Sequence, residues 1–262
     1  MKNKVILFDA DSLVYQAVYK VVTFGEIRAL LQNQLTREDI ELEILQRAYD
    51  RFEKMYFDIH NEIEETYNVT DTFYYYTNCK NNFRKQIEPT YKANRKGNKW
   101  VSKLRKYLLE YMPNSFSSDE YEADDLIYYQ AQNMDIEDYI ICSIDKDLKQ
   151  IVGLHFDYYQ LKVKDENGEY ILDPFGKEVK KRKGFLEVTQ EQAEHLIFEM
   201  MLVGDVSDNI KGIYGIGKVK ANKLLLNRSK YGKFRAVCEE YKKESMEWKT
   251  RIKINAQLLM FN

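Results

Sequence analysis

Short apolar strands alternating with amphipathic helices predict an α/β fold, a mostly parallel central sheet flanked by helices, followed by a helical carboxy-terminal part. Three observations carry that prediction. Lys4–Phe8 (KVILF) and Tyr139–Ile144 (YIICSI) are brief apolar runs, each met at its end by an aspartate. Long charged segments with apolar residues at helical spacing lie between them. From Gly204 onward the texture changes to Gly-rich turns and short basic helices.

The elements follow in order. KVILF reads as a buried strand, and Ser12–Tyr19 as a helix with Asp11 placed to cap it. Residues 37–67 repeat Ile40, Ile44, Leu45, Ala48, Phe52 and Met55 at helical spacing. Thr72–Tyr76 (TFYYY) is aromatic and suits a second strand. The stretch 77–99 is polar and basic and reads as a loop, and Trp100–Tyr111 resumes a helix that Pro113 stops. A further helix is expected near Ser117, where Ser117-x-x-Glu120 has the form of a capping box. YIICSI is the clearest strand, and residues 156–172 read as a hairpin turning at Asn167-Gly168. Thr189-x-x-Gln192 opens a helix with Ala193, Leu196, Ile197, Met200 and Met201 on one face.

Composition narrows the function classes. Of 262 residues, 40 are Lys or Arg and 42 are Asp or Glu, a net charge of −2. Three prolines and 11 glycines exclude a collagenous or linker-dominated chain. Three scattered cysteines argue against a disulfide framework or a Cys-rich zinc site, and favour a reducing compartment. The apolar run before Asp9 is too short for a signal peptide, and no 18-residue apolar stretch could span a bilayer. The expectation is a cytoplasmic protein with no membrane partner. The small net charge hides segregation: residues 80–106 hold ten Lys/Arg and one acid, and residues 211–253 hold thirteen Lys/Arg and four Glu. Two basic blocks suit a polyanion gripped at two places, although a Lys-rich block can also be a solvated helix face.

In open α/β sheets, function gathers where strands end at their carboxyl edge. Asp9 follows the first strand, and Asp145 and Asp147 follow YIICSI. Glu122, Asp124 and Asp125 stand at the start of a helix, and Asp205 and Asp208 where the last long helix gives way to turns. Singly, each group has an ordinary explanation as a cap, a turn or a helix-dipole partner. Eight carboxylates converging on one edge would repel one another unless divalent cations joined them. Oxygen ligands of this kind suit Mg²⁺ or Mn²⁺, and the three isolated histidines argue against zinc. A carboxylate cage beside basic blocks fits metal-assisted phosphodiester cleavage.

The ordered set ILFDADSL, YKANRK, EADD, SIDKD and GDVSDNIKGIYGIGKVKA resembles the 5′ nuclease, or flap endonuclease, family over residues 4–226. That family includes phage 5′→3′ exonucleases and the 5′ nuclease domain of bacterial DNA polymerase I. The resemblance implies a nuclease core over 1–188, a short basic arch region near 80–112, and a helical duplex-binding region over 189–262. It implies two Mg²⁺ or Mn²⁺ ions: Asp9, Glu122, Asp124 and Asp125 around the first, Asp145, Asp147, Asp205 and Asp208 around the second. Arg84, Lys92 and Arg95 match basic residues beside the scissile phosphate, and Tyr15 an aromatic that stacks on substrate. Gly212, Gly215 and Gly217, with Lys218 next to them, resemble the turn of a helix–turn–helix that grips duplex backbone. The implied partners are DNA flaps, nicks and single-strand/duplex junctions, RNA–DNA hybrids, and replication proteins, with a monomeric enzyme that removes replication primers.

The sequence departs from the family in two places. Relatives usually carry a metal-binding Asp after the second strand, where Thr77–Arg84 holds no acid and Asn78 stands instead. Only 30 positions separate Lys92 from Glu122, which leaves a short or open arch. A PIN-type ribonuclease and a DNA-binding protein of this fold with impaired catalysis are the rival readings. Gly212-x-x-x-x-Gly217-Lys218 matches most of a P-loop, but Val219 replaces the Ser or Thr that would reach Mg²⁺.

Overall fold

Strand β1 (Asn3–Asp9) runs straight into helix α1 (Ala10–Val21) in the computed structural model, which describes residues 2–21, 28 and 36–261. Helix α2 (Arg37–Glu64) then leads into β2 (Asn68–Tyr75), and its Thr36 and Asp39 form a capping box. Next come α3 (Phe83–Ile87), α4 (Lys99–Tyr111), β3 (Ser115–Phe116), α5 (Ala123–Gln132) and β4 (Tyr139–Cys142). A 3₁₀ turn at Asp147–Gln150 precedes the pair β5 (Gly153–Lys162) and β6 (Lys180–Val188). The rest is α6 (Gln190–Val203), the two-residue strands β7 (Gly204–Asp205) and β8 (Ile210–Lys211), then α7 (Lys218–Leu225), α8 (Lys230–Glu244) and α9 (Trp248–Leu259).

The main sheet has the order β3-β2-β1-β4-β5-β6, parallel except for β6. β1 is central, with Phe8 opposite Tyr74 on one side and Cys142 on the other. Asp9 and the residues after Cys142 therefore leave the sheet at the same edge. Alternation along β1 sends Ile6 and Phe8 into one hydrophobic cluster with Leu13, Phe52, Ile63 and Leu104, and Leu7 into another with Ile127, Ile141 and Leu148. Burying such side chains contributes about 1.5–3 kcal/mol each. A third cluster joins Met201, Ile213, Leu225, Tyr241 and Leu258 to Tyr91 from the earlier part of the chain. Among the described residues, no helix is long and apolar enough to cross a membrane.

The fold expected from the sequence is the one observed, with four local differences. Helix α1 starts at once after Asp9, so Asp11 lies inside its first turn, where it accepts hydrogen bonds from the Thr77 N–H (2.9 Å) and from Arg105 Nε (2.8 Å). The stretch 77–99 contains the short helix α3, capped by Asn82. Helix α5 begins at Ala123 rather than near Ser117, because Ser118 Oγ accepts from the N–H groups of Glu120 and Tyr121 and closes a turn. The β5–β6 pairing ends at Lys162–Lys180, so Asn167-Gly168 turns a small excursion beyond the hairpin rather than the hairpin itself.

Candidate active site

The edge where β1 and β4 end is acidic. Asp9, buried, accepts hydrogen bonds from Ser12 Oγ (2.9 Å) and Ser143 Oγ (2.7 Å). Burial, with Asp11 and Asp145 nearby, outweighs those bonds and pushes its carboxyl up to about 7. After β4, Ser143 Oγ also accepts from the Asp145 N–H (2.9 Å), and Asp145 Oδ1 from the Asp147 N–H (2.9 Å). This SIDKD turn faces both acids toward the cleft. Asp147 is pushed up to about 7 by burial and by Asp145, Asp205 and Asp208. Its Oδ1 is buried with no hydrogen-bond partner, the Lys146 ammonium standing 3.7 Å away. Asp124, at the start of α5, is raised well above the usual carboxylate range by burial and by Glu122, Asp145 and Asp9.

The neighbouring acids are compensated. Glu122 accepts from Lys92 Nζ at both oxygens (2.8 Å each), from Tyr91 Oη (2.8 Å) and from Asn82 Nδ2 (3.0 Å). Burial opposes its charge, but Lys92 and Arg84 prevail and hold its pKa low. Asp208 faces Lys92 at 3.5 Å, pairs with Arg95, and accepts from Tyr91 Oη at 3.1 Å. Asp205 is held low, against burial, by hydrogen bonds from Ser207 and from Lys146 Nζ (3.1 Å). Lys92 reaches between two elements because its backbone is left-handed (φ 54°) and its N–H donates to the Asp208 carbonyl (2.9 Å). Its own pKa is raised: burial works against the charge, and Glu122, Asp124 and Asp208 outweigh it.

Seven of the eight acids singled out in the sequence thus interact around one crevice. Asp125 departs from that expectation. It is buried on the inner side of α5, where it receives a two-pronged ion pair from Arg84 Nη1 (2.6 Å) and Nη2 (2.7 Å) and accepts from the Glu122 N–H (3.1 Å). Arg84 is 3% exposed, and its remaining donors go to the carbonyls of Leu258 (2.9 Å) and Met260 (3.1 Å). It lies along the inner wall of the crevice with its guanidinium fully engaged, instead of free beside a phosphate. Asn78 is exposed, and Asn82 is the amide that meets Glu122.

Tyr15 is 49% exposed on α1. Gly212 serves the fold rather than a phosphate: a Cβ there would lie 2.1 Å from the Val203 carbonyl carbon, at the end of the antiparallel β7–β8 pair. Gly215 (φ 72°) and Gly217 stand in open space in the loop before α7, with Gly217 as its N-cap and Lys218 exposed. These glycines sit between β8 and a helix, not in a tight helix–turn–helix turn. Tyr91, Asn82 and Lys146 escaped the sequence reading. Only Lys146 carried a signal, as the cation between two acids in SIDKD.

A family model described as 5′-3′ exonuclease, N-terminal resolvase-like domain, matches residues 4–183. The chain belongs to the 5′-3′ exonuclease family. DNA polymerase I of Bacillus caldotenax is 28% identical over 254 residues, which cover 94% of this chain and 26% of the polymerase. Flap endonuclease Xni of Colwellia psychrerythraea is 30% identical over 168 residues, 60% of this chain and 51% of Xni. The chain therefore spans about a quarter of that polymerase and about half of Xni. The structure of the T5 D15 protein co-crystallised with metal ions aligns with a TM-score of 0.59 over 98% of this chain and 89% of that one. At 15% identity that likeness shows the exonuclease fold alone.

The donor set suits a hard divalent cation. It is all oxygen, it includes a buried carboxylate atom without a partner, and two of its acids are crowded up to about 7. Among the described residues no three acids stand as a ready-made cage. Lys92, Arg95 and Lys146 lie between the carboxylates as internal counter-ions.

Proposed function

We propose that the chain is a Mg²⁺- or Mn²⁺-dependent, structure-specific 5′ nuclease with 5′→3′ exonuclease and flap endonuclease activity. Its substrates would be DNA flaps, nicks and single-strand junctions, together with RNA–DNA hybrids of the kind left by replication primers. The observation that carries this reading is the meeting of seven carboxylates from four stretches of chain with Lys92 and Arg95 set among them. Residues 1–188 would form the nuclease core, and 189–262 would hold duplex through Lys218 and the loop of Gly215 and Gly217.

Two ions would be held by Asp9, Glu122 and Asp124 on one side and Asp145, Asp147, Asp205 and Asp208 on the other. When bound, they would supply the Lewis acidity that phosphodiester hydrolysis requires. The chain's own groups prepare the phosphate. Lys92 and Arg95 hold their positive charge firmly, and both can turn from Glu122 and Asp208 to the oxygens of a scissile phosphate. Tyr91 keeps its proton, its pKa raised by burial and by Glu122 and Asp208, and so remains a donor to those carboxylates. Arg84 and Asp125 fix the start of α5, which sets the direction of Glu122 and Asp124.

The test is incubation of the protein with 5′-labelled flap, nicked and hybrid duplexes in Mg²⁺ and in EDTA. Products released from the 5′ end in Mg²⁺ and none in EDTA are expected. Equal cleavage in EDTA would refute the metal-dependent reading, and no cleavage of any of these substrates in Mg²⁺ or Mn²⁺ would refute the nuclease reading.

A further inference from the structure

A groove of about 670 Å³ lies between α1, α2 and the outer part of the β5–β6 ladder. None of the chemistry above uses it, apart from Tyr15 at its edge. Its lining includes Tyr19 from α1, Arg51 from α2, Tyr159 from β5 and Lys180 and Arg182 from β6. Ile144, between Ser143 and Asp145, lines it too, so the groove opens directly beside the acidic edge. The hairpin extends it outward: Phe156 pairs with Cys142 at the end of β4, and β5 runs six residues further, about 20 Å.

Two features of the groove call for a ligand. The first is a set of open ring faces. Tyr19 is 83% exposed and Tyr15 49%, while Tyr159 is 50% exposed with the Lys183 ammonium already over one face, 5.0 Å from the ring centroid. The second is unsatisfied polarity. The buried Arg51 Nε lacks a hydrogen-bond partner among the described residues, and Arg51 lines this groove. Buried polar atoms are nearly always paired in folded proteins, so an orphan donor beside open space marks where an acceptor binds. No described carboxylate pairs with Arg51 or Lys180. Arg182 is committed to Glu62 and to the Asp58 carbonyl (3.3 Å), and Asp58 is the acid of the lining.

We infer that this groove binds the unpaired strand of the substrate, with bases stacked on Tyr19 and Tyr159 and phosphates against Arg51 and Lys180. Free ring faces recognise unpaired bases because paired bases hide their own faces within the duplex stack, and the flanking cations take the backbone. This inference rests on the nuclease reading for the strand's origin, and its test is independent of cleavage. The groove would guide the strand away from the acidic edge on the side of α1 and α2.

The experiment is fluorescence anisotropy in EDTA with a short labelled oligothymidylate and, separately, a blunt duplex. The wild type, the Tyr19→Ala/Tyr159→Ala double variant and Lys180→Ala are compared, each checked by its thermal midpoint. All three side chains are exposed, so the variants are expected to fold. Stacking is worth about 1–3 kcal/mol per base, so losing both platforms should cost about 30-fold or more in oligothymidylate affinity. Blunt-duplex affinity should change by less than about twofold, and Lys180→Ala should flatten the salt dependence by about one charge. An unchanged oligothymidylate affinity, an equal loss for both ligands, or no oligothymidylate binding by the wild type would each overturn the inference. Loss of binding confined to the single strand, in a protein that cleaves nothing in Mg²⁺, would uphold the groove and sink the nuclease proposal.

Discussion

The two sides of the acidic crevice deal with the same problem differently. Glu122, Asp205 and Asp208 are met by Lys92, Lys146 and Arg95, and the first two titrate below the ordinary carboxylate range. Asp9, Asp124 and Asp147 titrate above it, because burial and neighbouring acids outweigh the cations in reach, Lys92 for Asp124 and Lys146, 3.7 Å away, for Asp147. The compensated side is complete as folded. The uncompensated side is completed by a proton or by an added cation. Sequence position does not separate them, since Glu122 and Asp124 are two residues apart; the difference lies in which acid the left-handed Lys92 can reach.

The largest expected effect comes from the acid that belongs to neither side. Asp125→Asn breaks the buried two-pronged pair and leaves the Arg84 guanidinium only the longer contact to Glu122 (3.7 Å), which should destabilise the fold by about 3–5 kcal/mol. A urea melt measures it, and a change below about 1 kcal/mol would show that the Leu258 and Met260 carbonyls suffice for Arg84.

Asp147→Asn sharpens the contrast because activity and stability should move apart. Removing an uncompensated carboxylate should leave metal-free stability unchanged or higher, while cleavage falls on the order of 10²–10³-fold or more. Single-turnover rates and melts on the same preparation decide. Parallel losses in both would put Asp147 on the compensated side.

The pH dependence of metal-free stability follows from the same division. Burial and neighbouring acids push the folded-state carboxyls of Asp9 and Asp147 up to about 7, well above the ordinary aspartate range. Their protonated forms favour the folded state, so this contribution is complete below the unfolded pKa and is lost as pH rises through 7. Between about pH 6 and about pH 8 the loss should be roughly 1 kcal/mol from each acid. Thermal midpoints in EDTA should therefore fall across this window, and added Mg²⁺ should reverse the fall. A flat profile would mean that the two acids are compensated after all.

The smallest effect lies far from the crevice. Lys218→Ala removes one exposed cation, so duplex affinity should weaken modestly and the salt slope should drop by about one, with single-turnover rate unchanged at saturating enzyme. A slower chemical step would place Lys218 within the influence of the crevice.

Much of this arrangement was legible in the sequence. KVILF and YIICSI declared themselves as central strands by composition, and the aspartates after them had to emerge at one edge once both strands were parallel. The capping box at Thr189 was readable because it is local. Pairings between distant segments were not readable. Nothing within EADD says that Asp124 turns toward the crevice and Asp125 toward Arg84, because both lie in the first turn of α5 and only tertiary packing tells its faces apart. Ser117-x-x-Glu120 had the right spacing for a capping box, yet Ser118 captured the same backbone for a turn. Gly212 looked like a phosphate-binding glycine, and the reason for it is the close approach of the Val203 backbone beside the β7–β8 pair.

The grip of Arg84 on the carbonyls of Leu258 and Met260 spans 174 and 176 residues of chain. During synthesis the Arg84–Asp125 pair has both its charges once α5 has emerged, but it lacks these acceptors until α9 has been made. Gln150 likewise waits for the Leu259 carbonyl. A nascent chain that has not reached Leu258 therefore holds the start of α5 loosely, and with it the aim of Glu122 and Asp124. The start of α5 thus has its full set of contacts only once α9 is in place.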